Sequence, residues 1–175
     1  MSDTEKRMSW REYALKLATV SSERSEDPFL KVGACVLRHD NSVASLGYNG
    51  APPGIDIDWS NRDQRRLRVI HAEVNALRYV TPGECNLLAC THIPCNECLR
   101  VISSYGIKEL VFGEIYQRDI SSLSLSQEFG IKLFCPPRGL KQVDATYRDV
   151  VTFINDVIWY YIFNDVNYIS DASVV

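Results

Sequence analysis

Two short segments carry residue types that could do chemistry together: His71-Ala72-Glu73 and Pro94-Cys95-Asn96-Glu97-Cys98. A Cys-x-x-Cys pair at a helix start can turn both thiols toward one ion, and the positive end of the helix dipole favours the thiolates that zinc requires. His71 also falls at a predicted helix start. Three ligands from two segments leave the fourth zinc position open, which is the catalytic arrangement; structural sites are closed by four protein ligands. Zinc lowers the pKa of water at that position from about 16 toward about 7. Attack of such water on an amidine-like carbon bearing an amine needs a group that moves protons, and Glu73 has that chemistry. Residues two apart diverge in mid-helix, so this assignment requires His71 and Glu73 to sit at the helix end. The competing reading is an inactive interaction module around a closed structural zinc, with His92 completing the set. It leaves Glu73 without a task. Cys35, Cys85, Cys90 and Cys135 read as buried small residues, and His39 as a solvated turn residue.

The elements that must position these segments follow from periodicity and punctuation. Residues 9–20 read as a helix with a capping box at Ser9 and Glu12 and an apolar stripe of Trp10, Tyr13, Ala14, Leu17 and Val20. Residues 32–37 and 43–48 are apolar runs around a polar turn, a hairpin. Residues 49–61 form a long loop with Gly50, Pro52, Pro53 and Gly54. A helix over 71–79 is stopped by Thr81-Pro82-Gly83. A strand over 86–91 leads through Pro94 into a helix over 95–105 that Gly106 ends. Strands are expected at 109–112 and 131–134, a poorer helix at 123–129 and a last helix at 147–163. Strands alternating with helices after a hairpin predict an α/β domain whose mixed five-stranded sheet is covered on both faces.

The chain has 175 residues, the size of one domain spanning 1–175, with 142–175 as a helical extension packing on it or at a subunit interface. A net charge of -3 and a pI near 5.6 argue against a polynucleotide partner and for a small one. The polar start, Met-Ser-Asp-Thr-Glu-Lys-Arg, does not read as a secretory leader. No window reaches the roughly 18 apolar residues of a membrane span; the most apolar region, 150–169, is broken by Asn155, Asp156, Asn164 and Asp165. Six cysteines without an export signal point to a reducing, cytoplasmic setting.

His-x-Glu followed by Pro-Cys-x-x-Cys is the signature of zinc nucleobase deaminases, and further segments resemble that superfamily. Glu23-Arg24-Ser25-Glu26-Asp27-Pro28 with Val32-Gly33-Ala34-Cys35, then Gly47-Tyr48-Asn49-Gly50, His71-Ala72-Glu73-Val74-Asn75-Ala76 and Gly106-Ile107-Lys108-Glu109 are similar to the motifs of deoxycytidylate (dCMP) deaminases over about 9–135. The resemblance implies a three-layer α/β/α cytidine-deaminase-like fold and hydrolysis of dCMP to dUMP, which feeds thymidylate synthesis. It implies one catalytic Zn2+ on His71, Cys95 and Cys98, with Glu73 as proton carrier. Asn49 would bond the deoxyribose, Arg24 and Tyr116 the 5′-phosphate, and the backbone at Ala72 and Thr91 the pyrimidine edge. The family's hexamers imply a homo-oligomer with an effector site near Gly47, Tyr48 and Gly50, activated by dCTP and inhibited by dTTP, with Mg2+ accompanying the triphosphate. Two stretches depart from the pattern. Arg62, Arg65, Arg66 and Arg68 replace tyrosine-rich sequence and would line a phosphate or triphosphate pocket, or else a solvated or intersubunit face. The segment 114–126 is shorter than the family's. Deamination of a modified deoxycytidylate, of free (deoxy)cytidine or of polynucleotide cytosine would use the same metal chemistry.

Overall fold

The computed structural model describes residues 7–115, 121–135 and 141–143. The chain divides into two compact units, Met1–Gln142 and Val143–Val175. The expected helix over 147–163, and with it the extension over 142–175 apart from its first two residues, lies outside the described residues.

The first unit is built on a mixed sheet in the order β2-β1-β3-β4-β5-β6. Its strands are β1 (Gly33–Arg38), β2 (Val43–Tyr48), β3 (Cys85–His92), β4 (Glu109–Glu114), β5 (Lys132–Cys135) and β6 (Lys141–Val143). β1 runs antiparallel to both β2 and β3, and β4 and β5 continue parallel to β3. The five expected strands are present, and β6 adds a short sixth. It is only three residues long, too short to show alternation.

The helices are α1 (Trp10–Ser22), α2 (Arg62–Arg68), α3 (Ala72–Leu77), α4 (Asn96–Ser104) and α5 (Ser121–Glu128). Ser9 caps α1 through the expected capping box with Glu12. The buried face of α1 differs from the expected stripe. Ala14, Ala18 and Ser21 face inward, while Trp10, Tyr13 and Val20 stand 46%, 38% and 62% exposed. The reason is close approach: a Cβ on Gly33 would lie 1.9 Å from the Ala18 carbonyl oxygen, so only small side chains fit between α1 and the sheet. Ala14 and Ala18 pack there with Cys35, Leu37, Leu87, Ala89, Val111 and Phe134. The alternate strand residues Val36, Leu88, Cys90 and Phe112 are buried too. Successive strand side chains point to opposite faces, so the sheet is covered on both sides and the three-layer expectation holds. Among the described residues, no helix is long and apolar enough to cross a membrane.

Candidate functional site

The site is assembled by two helix starts on the face of the sheet opposite α1. His71 is the N-cap residue of α3 and Cys95 that of α4. Neither side chain bonds an amide of its own helix, so both are free to face another group. Cys98 follows in the first turn of α4. Gly47 of β2 sets the seat of α3: a Cβ there would lie 2.4 Å from both the Ala72 carbonyl oxygen and the Ala76 amide nitrogen. The Ser45 hydroxyl donates to the Ala76 carbonyl at 2.6 Å, and the Asn75 side-chain amide donates to the Tyr48 carbonyl at 2.8 Å. These bonds pin α3 along its length.

The donor atoms of His71, Cys95 and Cys98 all lie within 4.8 Å of one another. His71 Nδ1 is 3.6 Å from Cys95 Sγ and 3.3 Å from Cys98 Sγ. With zinc–sulfur bonds of about 2.3 Å and zinc–nitrogen bonds of about 2.0–2.1 Å, a tetrahedral ion sets nitrogen and sulfur about 3.6 Å apart. The three residues therefore fit zinc in both chemistry and spacing. Without an ion they share protons. A hydrogen bond from the Cys98 thiol, joined by one from His71, holds the Cys95 thiol down at about 4. The bond to Cys95 raises His71, and the same thiol pair together with burial raises Cys98. A bound cation takes the place of those protons.

Glu73 lies in the first turn of α3 and is 4% exposed. The condition set by the sequence, that His71 and Glu73 stand at the helix end, is met. Burial raises the Glu73 carboxyl above its ordinary range. His92 is not part of the donor cluster. Its Nε2 lies 3.2 Å from Glu114 and its Nδ1 lies 3.1 Å from the Thr91 hydroxyl. Among the described residues the cluster is three-membered, which removes His92 as the fourth ligand of a closed site.

The cluster opens into a cleft of about 580 Å3. His71, Ala72, Glu73 and Cys95 form part of its lining. Asp27, Phe29, Leu30 and Asn49 form another part, held by a buried network. Asn49 Oδ1 accepts from the Val32 amide at 2.7 Å, and its side-chain amide donates to the Leu30 carbonyl at 2.9 Å and to Asp27 at 3.4 Å. Asp27 Oδ1 in turn accepts from the Phe29 and Leu30 amides at 2.8 and 3.2 Å. Arg62, Arg65 and Arg66 of α2 also line the cleft. The Arg65 guanidinium stacks 4.0 Å from the Phe29 ring and donates to the Trp59 carbonyl.

Other sequence-predicted residues fall elsewhere. Arg24 is exposed, and neither it nor Thr91 lines this cleft; the Thr91 hydroxyl accepts from the Gly33 amide at 3.1 Å. Tyr116 lies outside the described residues. Gly47 packs under α3, the Tyr48 carbonyl binds Asn75, and Gly50 pairs with Ile70 through bonds of 3.1 and 2.9 Å. Arg68 turns away from the cleft to Gln64 at 3.0 Å. The sequence reading had no α2, yet a signal was present: Asn61 Oδ1 caps the helix by accepting from the Asp63 and Gln64 amides at 3.0 and 3.1 Å. Asp27 and Phe29 were missed as wall residues, and nothing in their local pattern marks them.

The comparisons agree with this geometry. Residues 8–114 match the model of the cytidine and deoxycytidylate deaminase zinc-binding region. The chain is 35% identical to the deoxycytidylate deaminase of Mus musculus over 116 residues, which is 60% of this chain and 65% of that protein. It thus spans a little less than two thirds of that relative's length. Over 160 residues it is 29% identical to ComE operon protein 2 of Bacillus subtilis, covering 87% of this chain and 84% of that one. The dCMP deaminase of cyanophage S-TIM5, solved in complex with dCMP and dUMP, superposes with a TM-score of 0.61 at 27% identity, over 74% of this chain and 99% of that one. Three metal donors at two helix starts, a buried carboxylate beside them and a match over most of the described fold lead to one conclusion: this chain belongs to the cytidine and deoxycytidylate deaminase family.

Proposed function

We propose that the protein hydrolyses the exocyclic amine of dCMP, releasing ammonia and dUMP. The observation that carries this reading is the buried Glu73 beside the His71, Cys95 and Cys98 donors at an open cleft. The names of the relatives and the dCMP complex of the cyanophage protein support the choice of nucleotide. His71, Cys95 and Cys98 would hold zinc, which when bound supplies the Lewis acidity that makes water nucleophilic at neutral pH. Glu73 takes a proton from the attacking water and delivers it to the ring nitrogen as the carbon–oxygen bond forms at C4. It then passes the second proton to the amine as the carbon–nitrogen bond breaks. A carboxyl raised by burial suits a group that must both accept and return a proton. The Ala72 amide would read the pyrimidine edge, and Asn49 would shape the sugar wall through the 27–32 segment. Thr91 and Tyr116 keep the roles that the resemblance gives them as expectations, while Arg24, exposed and outside the cleft, is left without one.

The same reading places the product upstream of thymidylate synthesis and makes the protein a homo-oligomer controlled by dCTP and dTTP with Mg2+. Those finer assignments rest on the resemblance alone. The test is a panel of dCMP, CMP, deoxycytidine and dCTP given to zinc-loaded protein, with and without dCTP and dTTP as effectors. Turnover is expected on dCMP well above deoxycytidine. Glu73→Gln should lose at least about 100-fold in kcat while keeping its zinc. Equal rates on dCMP and deoxycytidine, or an active Glu73→Gln variant, would sink the reading.

A further inference from the structure

The α2 helix is built the wrong way round for a helix that serves only stability. It has no buried residue, and Leu67, its one large apolar side chain, is 87% exposed. Positions 62, 65 and 66 are spaced i, i+3, i+4, which places them on one stripe, and all three are arginines that line the cleft. Like charges at that spacing oppose helix formation. The helix dipole favours basic residues in the last turn wherever on the circumference they stand, so it does not explain why the charged stripe is the one toward the cleft.

Arg65 is partly occupied, stacked on Phe29 and donating to the Trp59 carbonyl. Among the described residues, Arg62 and Arg66 have no side-chain ion pair or hydrogen bond. The acidic residues of the same cleft do not answer them. Asp27 is taken up by the Phe29 and Leu30 amides and by Asn49, and Glu73 lies at the metal donors. The α2 wall therefore presents unanswered guanidinium groups to whatever fills the cleft, and like charges gathered on one wall concentrate their field there. Arg24, the cation that the resemblance would use, is not on this wall.

We infer that Arg62 and Arg66, with Arg65 as their packed support, form the subsite for the 5′-phosphate of a nucleoside monophosphate substrate, rather than part of a separate effector site. This rests on the reading of the cleft as a deaminase site for dCMP. Guanidinium forks suit phosphate oxygens because they offer paired, planar donors. Net charge of -3 and an arginine stripe confined to one seven-residue helix favour a mononucleotide over a polynucleotide.

The experiment compares wild type, Arg66→Gln and Arg62→Gln, all zinc-loaded, in two arms. The first arm measures kcat/KM on dCMP and on deoxycytidine. Each substitution should lower the ratio of the two values by about 10- to 100-fold, as loss of a charge-assisted bond does. The second arm measures binding of dUMP and deoxyuridine by calorimetry and needs no turnover. The preference for dUMP should fall by the same factor. If wild type deaminates nothing, the proposed activity fails, and the binding arm still decides the role of α2. An unchanged dUMP preference in both variants, no preference in wild type, loss of dCTP binding alone, or loss of single-stranded oligonucleotide binding with the dUMP preference intact would each overturn the assignment.

Discussion

Gly47→Ala should damage the active site from a position that touches no substrate. The new Cβ would stand 2.4 Å from the Ala72 carbonyl oxygen and the Ala76 amide nitrogen, and both are backbone atoms of α3. Ordinary contact begins near 3.4 Å, so α3 must retreat by about 1 Å or β2 must bend away. Overpacking of this kind costs about 1–3 kcal/mol. At this chain size that lowers the melting temperature by roughly 2–12 °C. The functional loss should be larger than the loss of stability. α3 carries His71 as its N-cap and Glu73 in its first turn, and a 1 Å error in a reacting group costs about 100-fold in rate. Gly50→Ala in the same Gly-Tyr-Asn-Gly motif is the matched control. Its new Cβ would meet only Tyr48 ring atoms at 3.7 and 3.8 Å, an ordinary contact. The assay is thermal melting together with kcat/KM on dCMP and zinc content for both variants. A Gly47→Ala protein with wild-type turnover and melting, or a Gly50→Ala protein damaged as severely, would refute the packing argument.

Removing zinc with a chelator should lower the melting temperature, because His71 and Cys95 make no side-chain bond to their own helices and the ion would tie the starts of α3 and α4 together. At zinc about 1,000-fold above its dissociation constant the linkage is about 4 kcal/mol, or roughly 8–16 °C; a melt indifferent to chelator would show that these residues hold no ion. Asn49→Ala strips partners from the Val32 amide and the Leu30 carbonyl, and it should cost about 2–4 kcal/mol in urea denaturation; a cost below about 1 kcal/mol would mean that the 27–32 segment does not depend on it. Hydrogen bonding to His92 holds the Glu114 carboxyl below its ordinary range. Its stabilisation is therefore present above the unfolded carboxylate value of about 4.3 and is lost as pH falls through the lower folded value. Because Glu114 is 61% exposed, solvent screening keeps the effect under about 1 kcal/mol. Glu114→Gln should be slightly less stable than wild type at pH 7, and the gap should close as acid protonates the folded carboxylate; a gap that widens on acidification would reverse the sign.

The sequence made the metal donors legible because their chemistry depends on spacing along the chain. Cys95 and Cys98 share one helix start, and Pro94 and the Thr81-Pro82-Gly83 stop fix where the helices begin and end. The central strands were legible for the same reason, since β1, β3 and β4 are dense apolar runs between turn residues. What could not be read depends on contacts distant in sequence. The inward face of α1 is set by Gly33, fifteen or so positions after Ala18, and not by hydrophobicity within the helix. Asn49 reads as a sugar ligand from its motif, but the bonds that tie its side-chain amide to Asp27, Leu30 and Val32 could not be read there. The arginine run left a pocket and a solvated face equally open. Only the fold shows that 62, 65 and 66 line the cleft while Arg68 turns away to Gln64.

The metal donors and Glu73 all come from positions 71–98, one continuous α3–β3–α4 passage that also supplies Ala72, His92, Ile93 and Pro94 to the cleft, whereas 27–32, Asn49 and α2 supply its far walls. The far walls and the metal donors thus lie in separate stretches of chain. Under the proposed function, substitutions in the far walls would change which molecule is admitted while leaving the metal donors and Glu73 in place, and a graft of α2 alone would ask how much selectivity travels with it.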